Sequence, residues 1–138
     1  MRETEYYEVY DTDATGEFDN QVERFIKKKR YKQLPNQIEE LEEQLAKGEF
    51  PGTMIRKANE PIPYEVYKLR MPNPDTNVGK SNGYRVMYIV VSEQKLVVLV
   101  AIYYKKEQTT VTDTYIEGLI DGYFLDSVPY DDSGELDA

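Results

Sequence analysis

The middle of the chain carries side chains that could do acid–base and anion chemistry: Lys68, Arg70, Lys80, Arg85, Tyr103, Lys105 and Lys106. Lys68 and Arg70 stand two apart in a stretch that alternates as a strand does, so both side chains leave the same sheet face. Arg85 lies on the next such stretch and Lys80 in the connection before it. Antiparallel pairing of the two stretches would bring four cations to one concave face. Arg85 sits between Tyr84 and Val86 in an otherwise apolar run, where a charge is costly unless it is paired or faces a site. At the end of a third stretch Tyr103 and Lys105 share a face. Each has a plainer reading beside this one. Lys68 and Arg70 could be the solvated face of a strand, Tyr103 and Tyr104 an ordinary strand pair with one ring in and one out, and Lys105 to Glu107 a surface corner.

The chemistry open to these residues is narrowed by what the chain lacks. Cysteine and histidine are both absent, which removes Ser-His-Asp and Cys-His nucleophile machinery, disulfide staples and the usual zinc sites. Catalysis would fall to Lys, Arg, Tyr or carboxylates, with no metal and no cofactor expected. The net charge of −9 is a poor guide to partners because the charge is segregated. Residues 1–54 carry 8 positive and 13 negative side chains, residues 55–110 carry 9 and 5, and residues 111–138 carry 0 and 8. The centre is basic.

The elements that must position these side chains can be read in order. The tyrosine-rich residues 5–10 predict a first strand. Helical spacing of Phe18, Val22, Phe25 and Ile26 predicts a helix over 18–31, opened by Thr15, Gly16 and Glu17, with Lys27 to Arg30 crowding its last turn. The basic run reads first as a solvated helix end that complements the macrodipole. Pro35 starts a second helix with Ile38, Leu41 and Leu45 on its apolar face and Gly48 as its stop, so the two helices form a hairpin. Residues 49–63, with three prolines and a glycine, read as a loop. Strands are expected over 64–71, 84–91 and 95–104, the last two joined by a tight turn at 92–94. A short helix over 112–124, capped by Thr112 or Asp113, turns Ile116, Leu119 and Ile120 inward. The fold class is therefore α+β: an N-terminal strand and a helix hairpin packed on an antiparallel sheet, then a C-terminal helix, with the helices covering one sheet face. One domain over 1–125 is expected, followed by an acidic tail over 126–138 that is disordered alone. No apolar stretch approaches the roughly 20 residues that cross a bilayer, and the N-terminus has no secretory signal, so the expected location is the cytoplasm.

Two stretches carry a distinctive pattern. KLRMPNPDTNVGKSNGYRVMYIV followed by VLVAIYYKKEQTTVTDTYIEGLI resembles the RelE/ParE toxin family, most closely its RelE-like and HigB-like mRNA interferases. A basic K-x-R strand leads into a Gly-Lys-x-x-Gly-Tyr-Arg-Val hairpin, and an Ile-Tyr-x-Lys-x-Glu strand end precedes the last helix. The likeness covers about residues 5 to 122 and is most specific over 66–121.

The resemblance implies the toxin of a type II toxin-antitoxin system, a metal-independent, ribosome-dependent endoribonuclease that inhibits translation. In such enzymes a ribose 2′-OH attacks the adjacent phosphate. Arg70 and Arg85 would then hold the scissile phosphate, Lys68 and Lys80 would act as base or position the phosphate, and Tyr103 would stack a base or donate a proton. Lys105 and Lys106 would bind RNA. The implied partners are a cognate antitoxin, the ribosome and mRNA, with no membrane; the oligomeric state is left open. Because the same frame also serves ParE-like gyrase poisons and non-catalytic interaction proteins, those form the alternative. Two departures stand out. The connection MPNPDTNV is longer than a short turn and bears on where Lys80 sits, and the acidic tail could fold back over a basic groove or only aid solubility.

Overall fold

The structure is a computed structural model that describes residues 9–108 and 111–127. Five strands and three helices follow in the order β1 (Asp11–Ala14), α1 (Gly16–Lys27), α2 (Leu34–Ala46), β2 (Thr53–Ala58), β3 (Tyr64–Met71), β4 (Tyr84–Val91), β5 (Leu96–Tyr104) and α3 (Asp113–Ser127). They form one sheet of strand order β1-β5-β4-β3-β2. β2 to β5 pair antiparallel with their neighbours, while β1 lies parallel to β5. Among the described residues no helix is long and apolar enough to cross a membrane.

The side chains of β3, β4 and β5 divide strictly between two faces, and this division builds two cores. Tyr84, Val86, Tyr88 and Val90 of β4 meet α1 and α2 through Phe18, Phe25, Leu34, Leu41 and Leu45. Met87, Ile89 and Val91 point the other way and meet α3 through Ile116, Ile120 and Phe124. The helices thus cover both faces rather than the single face expected, because β4 and β5 are apolar on both sides and each side must be shielded from water.

Three further boundaries differ from the sequence expectation. The first strand begins at Asp11, after Val9 and Tyr10, and residues 5–8 of the expected strand lie outside the described residues. Its DTDA sequence has poor strand propensity, and pairing with β5 from Asp11↔Leu96 to Ala14↔Leu99 overrides it. The expected loop over 49–63 contains β2, an edge strand flanked by its prolines, with Ile55 as the extra residue of a bulge between Met54 and Arg56. α1 stops at Lys27, and Arg30 takes a left-handed φ of 63° that turns the chain toward α2. The tail beyond Ser127 lies outside the described residues.

Local chemistry explains the elements that were legible. Thr15 caps α1, accepting from the Phe18 N–H at 3.1 Å while its hydroxyl donates to the Val100 carbonyl at 2.7 Å, which fastens the helix start to β5. Val100 is the extra residue where the β4–β5 register shifts between Met87 and Tyr88. Thr112 caps α3 by accepting from the Tyr115 N–H at 3.1 Å. Of the basic run after α1, Lys27 pairs with Glu23 at 2.7 Å and Lys29 with Glu107 at 2.7 Å, in keeping with a solvated helix end.

Tyr84 and Tyr88 stand at the centre of the first core, and burial pushes both phenols well above their ordinary value of 10.0. They keep their protons where tyrosines of the unfolded chain ionise. The stability held in these two groups is therefore complete below pH of about 10 and falls as pH rises beyond it. The urea midpoint is expected to be flat from about pH 8 to 9 and to drop by about pH 11, with a shallower drop in Tyr84→Phe. A midpoint unchanged at pH 11 would contradict this.

Candidate functional site

α3 shields only part of its sheet face, and the residue types change where the shield ends. Beneath α3 the strands carry Tyr64 and Val66 on β3, Met87, Ile89 and Val91 on β4, and Val98, Val100 and Ala101 on β5. Past it, the same face continues as Lys68 and Arg70, Arg85, and Tyr103. Register places Arg70 directly across from Arg85, and Arg85 directly across from Tyr103, so these three form one row over three adjacent strands. Lys68 lies one row back, opposite Met87 on one side and Thr53 of β2 on the other.

An open cavity of about 620 Å³ occupies this end of the face, lined by Lys68, Arg70, Lys80, Arg85, Tyr103 and Lys105 together with the β2 approach from Pro51 to Ile55. Among the described residues, five cations line it and no carboxylate does. Six of the seven side chains singled out in the sequence meet here. Lys106 does not line the cavity and is exposed, in the turn that follows β5. The sequence reading did not find Thr53 and Ile55, because the strand that carries them was read as loop.

The cations differ in what holds them. Arg85 is 4% exposed, and its guanidinium donates to the Lys80 carbonyl at 2.9 Å, the Ser81 carbonyl at 2.8 Å and, more weakly, the Tyr84 carbonyl at 3.4 Å. It thereby clamps the turn that carries Lys80. Burial, and then the like charge of Arg70, push Arg85 below the ordinary guanidinium value, yet an arginine stays charged at neutral pH. Arg70, Lys68 and Lys80 are exposed and have no ion-pair partner among the described residues. Two arginines facing each other across a strand pair oppose folding unless something else occupies the space between them and solvent. Tyr103 is 8% exposed; burial raises its phenol, against a smaller opposing pull from Arg85, so it is a proton donor through the neutral range.

Two devices fix the long connection between β3 and β4. Asn73 and Val78 exchange backbone hydrogen bonds at 2.8 and 3.0 Å, closing the connection into a small hairpin of its own. That hairpin is anchored to α2, where Asp75 accepts from the Gln33 N–H at 2.9 Å and the Pro72 carbonyl accepts from the Gln37 amide at 2.9 Å, and to β5, where Thr76 meets the Tyr104 hydroxyl at 2.8 Å. The extra length packs toward the helix hairpin and leaves Lys80 at the cavity. Gly83 then closes the turn beneath Lys80 with backbone packed so tightly that a Cβ there would lie 2.1 Å from the Met71 carbonyl oxygen. Glu107 ties the far end of β5 to α1: burial alone would raise its carboxyl, but hydrogen bonds from Lys29 and Arg24 hold it below the usual carboxylate value.

The arrangement can bind an anion of phosphate size, offer exposed amines beside it, and present a protonated phenol from the wall. Among the described residues no three His, Cys, Asp or Glu side chains gather where they could hold a metal ion. No family model matches the sequence. No curated protein matches it either. Among solved structures, the chain is similar to the crystal structure of the isolated E. coli RelE toxin, with a TM-score of 0.46 and 17% identity over 82% of this chain and 98% of that one.

Proposed function

We propose that this chain is a toxin of the RelE type that cleaves mRNA on the ribosome without a metal, by attack of a ribose 2′-OH on the adjacent phosphate. The observation that carries the reading is the cavity in which, among the described residues, five cations and one tyrosine converge with no carboxylate. Such a wall suits the phosphodiester backbone of single-stranded RNA and would be wasted on a neutral ligand.

The reaction needs a base for the 2′-OH, charge stabilisation for the phosphorane and an acid for the departing 5′-oxygen. Arg70, exposed and unpaired, grips the non-bridging oxygens. Arg85 adds positive potential from beneath and, through its bonds to the Lys80 turn, sets where Lys80 meets the phosphate. Lys68 or Lys80, whichever holds its amine unprotonated in the reacting complex, accepts the 2′-proton, and the other stays an ammonium beside the phosphate. Tyr103 supplies a proton to the 5′-oxygen, a role that fits a phenol kept protonated by burial. The products are a 2′,3′-cyclic phosphate and a free 5′-hydroxyl. Lys105 extends the cationic wall along the RNA, and Lys106, outside the cavity, would contact the flanking strand or ribosomal RNA. A cognate antitoxin would silence the protein by covering this face.

The test is induction of the chain in a bacterial host, with primer extension on a translated reporter mRNA. New 5′ ends inside the reading frame are expected, together with growth arrest. Arrest without cleavage would overturn the nuclease reading in favour of a gyrase poison, which a supercoiling assay would then identify.

A further inference from the structure

A second cavity of about 450 Å³ shares Tyr103 with the cationic one. Its chemistry is the reverse of its neighbour's. Glu17, Gln21, Thr112 and Tyr115 line it with Tyr103, and among the described residues Glu17 is the sole charged one of the lining. The carboxylate is held in place: Gln21 donates its amide to Glu17 Oε2 at 3.1 Å, and Arg24 fixes that amide by donating to its oxygen at 3.1 Å. Burial, and then the nearby Glu17 carboxylate, raise the Tyr115 phenol. A carboxylate accepts at about four lone-pair positions, so the Gln21 amide leaves it free to accept more. Tyr115 is 44% exposed, a large aromatic ring left at the rim.

A nucleotide has the same division. Its phosphate is anionic, while its base is neutral, flat and edged with donors and acceptors. A wall with a fixed carboxylate repels phosphate and accepts N–H donors, and aromatic rings stack on a base whatever its identity. We infer that this second cavity is a nucleobase subsite, seating a base next to the phosphate held beyond Tyr103, with Glu17 selecting bases that present an exocyclic amino group. Cytosine places its N4 amino group where uracil places the O4 oxygen, so the carboxylate accepts from the first and is repelled by the second. Gln21 backs the carboxylate, Tyr115 offers a stacking surface, and Tyr103 belongs to both subsites. The inference rests on the reading of the cationic cavity as an RNA site and adds to it a basis for sequence preference.

The experiment uses the full chain and fluorescence anisotropy at low salt, with an oligouridylate eleven nucleotides long and the same strand carrying one central cytidine. The parent protein is expected to bind the cytidine strand about tenfold more tightly, in line with one good base-edge contact. Glu17→Ala is expected to bring the ratio of the two affinities to about one, and Glu17→Gln to retain only part of the preference, because a carboxamide can turn either edge to the base. Arg70→Ala is expected to weaken both strands alike and to preserve the ratio. Circular dichroism checks that each variant is folded. No preference in the parent, or an undiminished preference in folded Glu17→Ala, would overturn the subsite while leaving the cationic cavity intact. Failure of the parent to bind either strand would instead overturn the RNA reading itself.

Discussion

Replacing Arg70 with alanine should lower the cleavage rate on ribosome-bound mRNA by about 10²- to 10³-fold, the usual loss for one donor that stabilises transition-state charge, without lowering the thermal midpoint. The two halves of this expectation come from the same geometry. Arg70 is exposed, has no ion-pair partner among the described residues, and stands opposite the like charge of Arg85. Nothing in the fold depends on it, and removing it relieves a repulsion that phosphate would otherwise neutralise. Arg85→Ala should behave differently. Its loss removes donors from the part-buried Lys80 and Ser81 carbonyls and empties the space its buried side chain fills, so stability and activity should fall together. Thermal melts and single-turnover cleavage on the two variants separate these cases. If Arg70→Ala unfolds the protein, the residue is structural and its place in the proposed chemistry is lost.

The second large effect is expected at Gly83, which never touches substrate. A Cβ at this position would lie 2.1 Å from the Met71 carbonyl oxygen and 2.9 Å from that of Gly79, both backbone atoms of the strand end and turn that frame the cavity. Neither can move without displacing Lys80 or opening the β3–β4 pairing. The Gly83 carbonyl also accepts from the Lys105 N–H at 2.8 Å, so the shift would reach the end of β5. Gly83→Ala should cost about 1 to 3 kcal/mol, as overpacking does, and should abolish cleavage even at temperatures where the variant is folded. Gly79→Ala is the control, because a Cβ there meets nothing within 4 Å. Equal losses in both variants would show that the turn tolerates neither side chain for reasons other than this close approach.

The parts of the fold that were legible in the sequence are those in which one local signal decides the outcome. Residues 64–71 and 84–91 were placed to the residue, because turn-rich segments bound both runs and their side chains suit a pleated surface. The face shared by Lys68 and Arg70 follows from the two-residue period and needs no tertiary information. What escaped reading depends on partners far away in the chain. β2 is short and hemmed in by prolines, and only its pairing with β3 makes it a strand. β1 is built from Asp, Thr and Ala and exists because β5 offers it a parallel edge. That α3 crosses to the second face could have been argued from β4, whose eight residues are all buried and hence need cover on both sides.

The candidate site divides in the same way. Convergence of Lys68, Arg70, Lys80, Arg85, Tyr103 and Lys105 on one cavity was foreseeable from strand order, but the division of labour among them was not. Arg85 drew attention as a charge in an apolar run; carbonyl oxygens of the Lys80 turn bind it, and it lines the cavity. Sequence gives no hint of those carbonyls, because backbone acceptors carry no residue signature. Glu17 illustrates the converse. Beside an N-cap threonine it reads as part of the helix start, where it stands in the first turn of α1, and its place on a second cavity comes only from the approach of α3 through Tyr115.

The central claim is that the cationic cavity serves attack by a ribose hydroxyl on its own phosphodiester. It is tested most directly with purified ribosomes carrying a short mRNA in which the nucleotide 5′ to the cleaved bond is replaced by its 2′-deoxy form. The account expects cleavage of the all-ribose message to yield a 2′,3′-cyclic phosphate end, and no cleavage at the substituted position. Cleavage that continues at the 2′-deoxy nucleotide would contradict it.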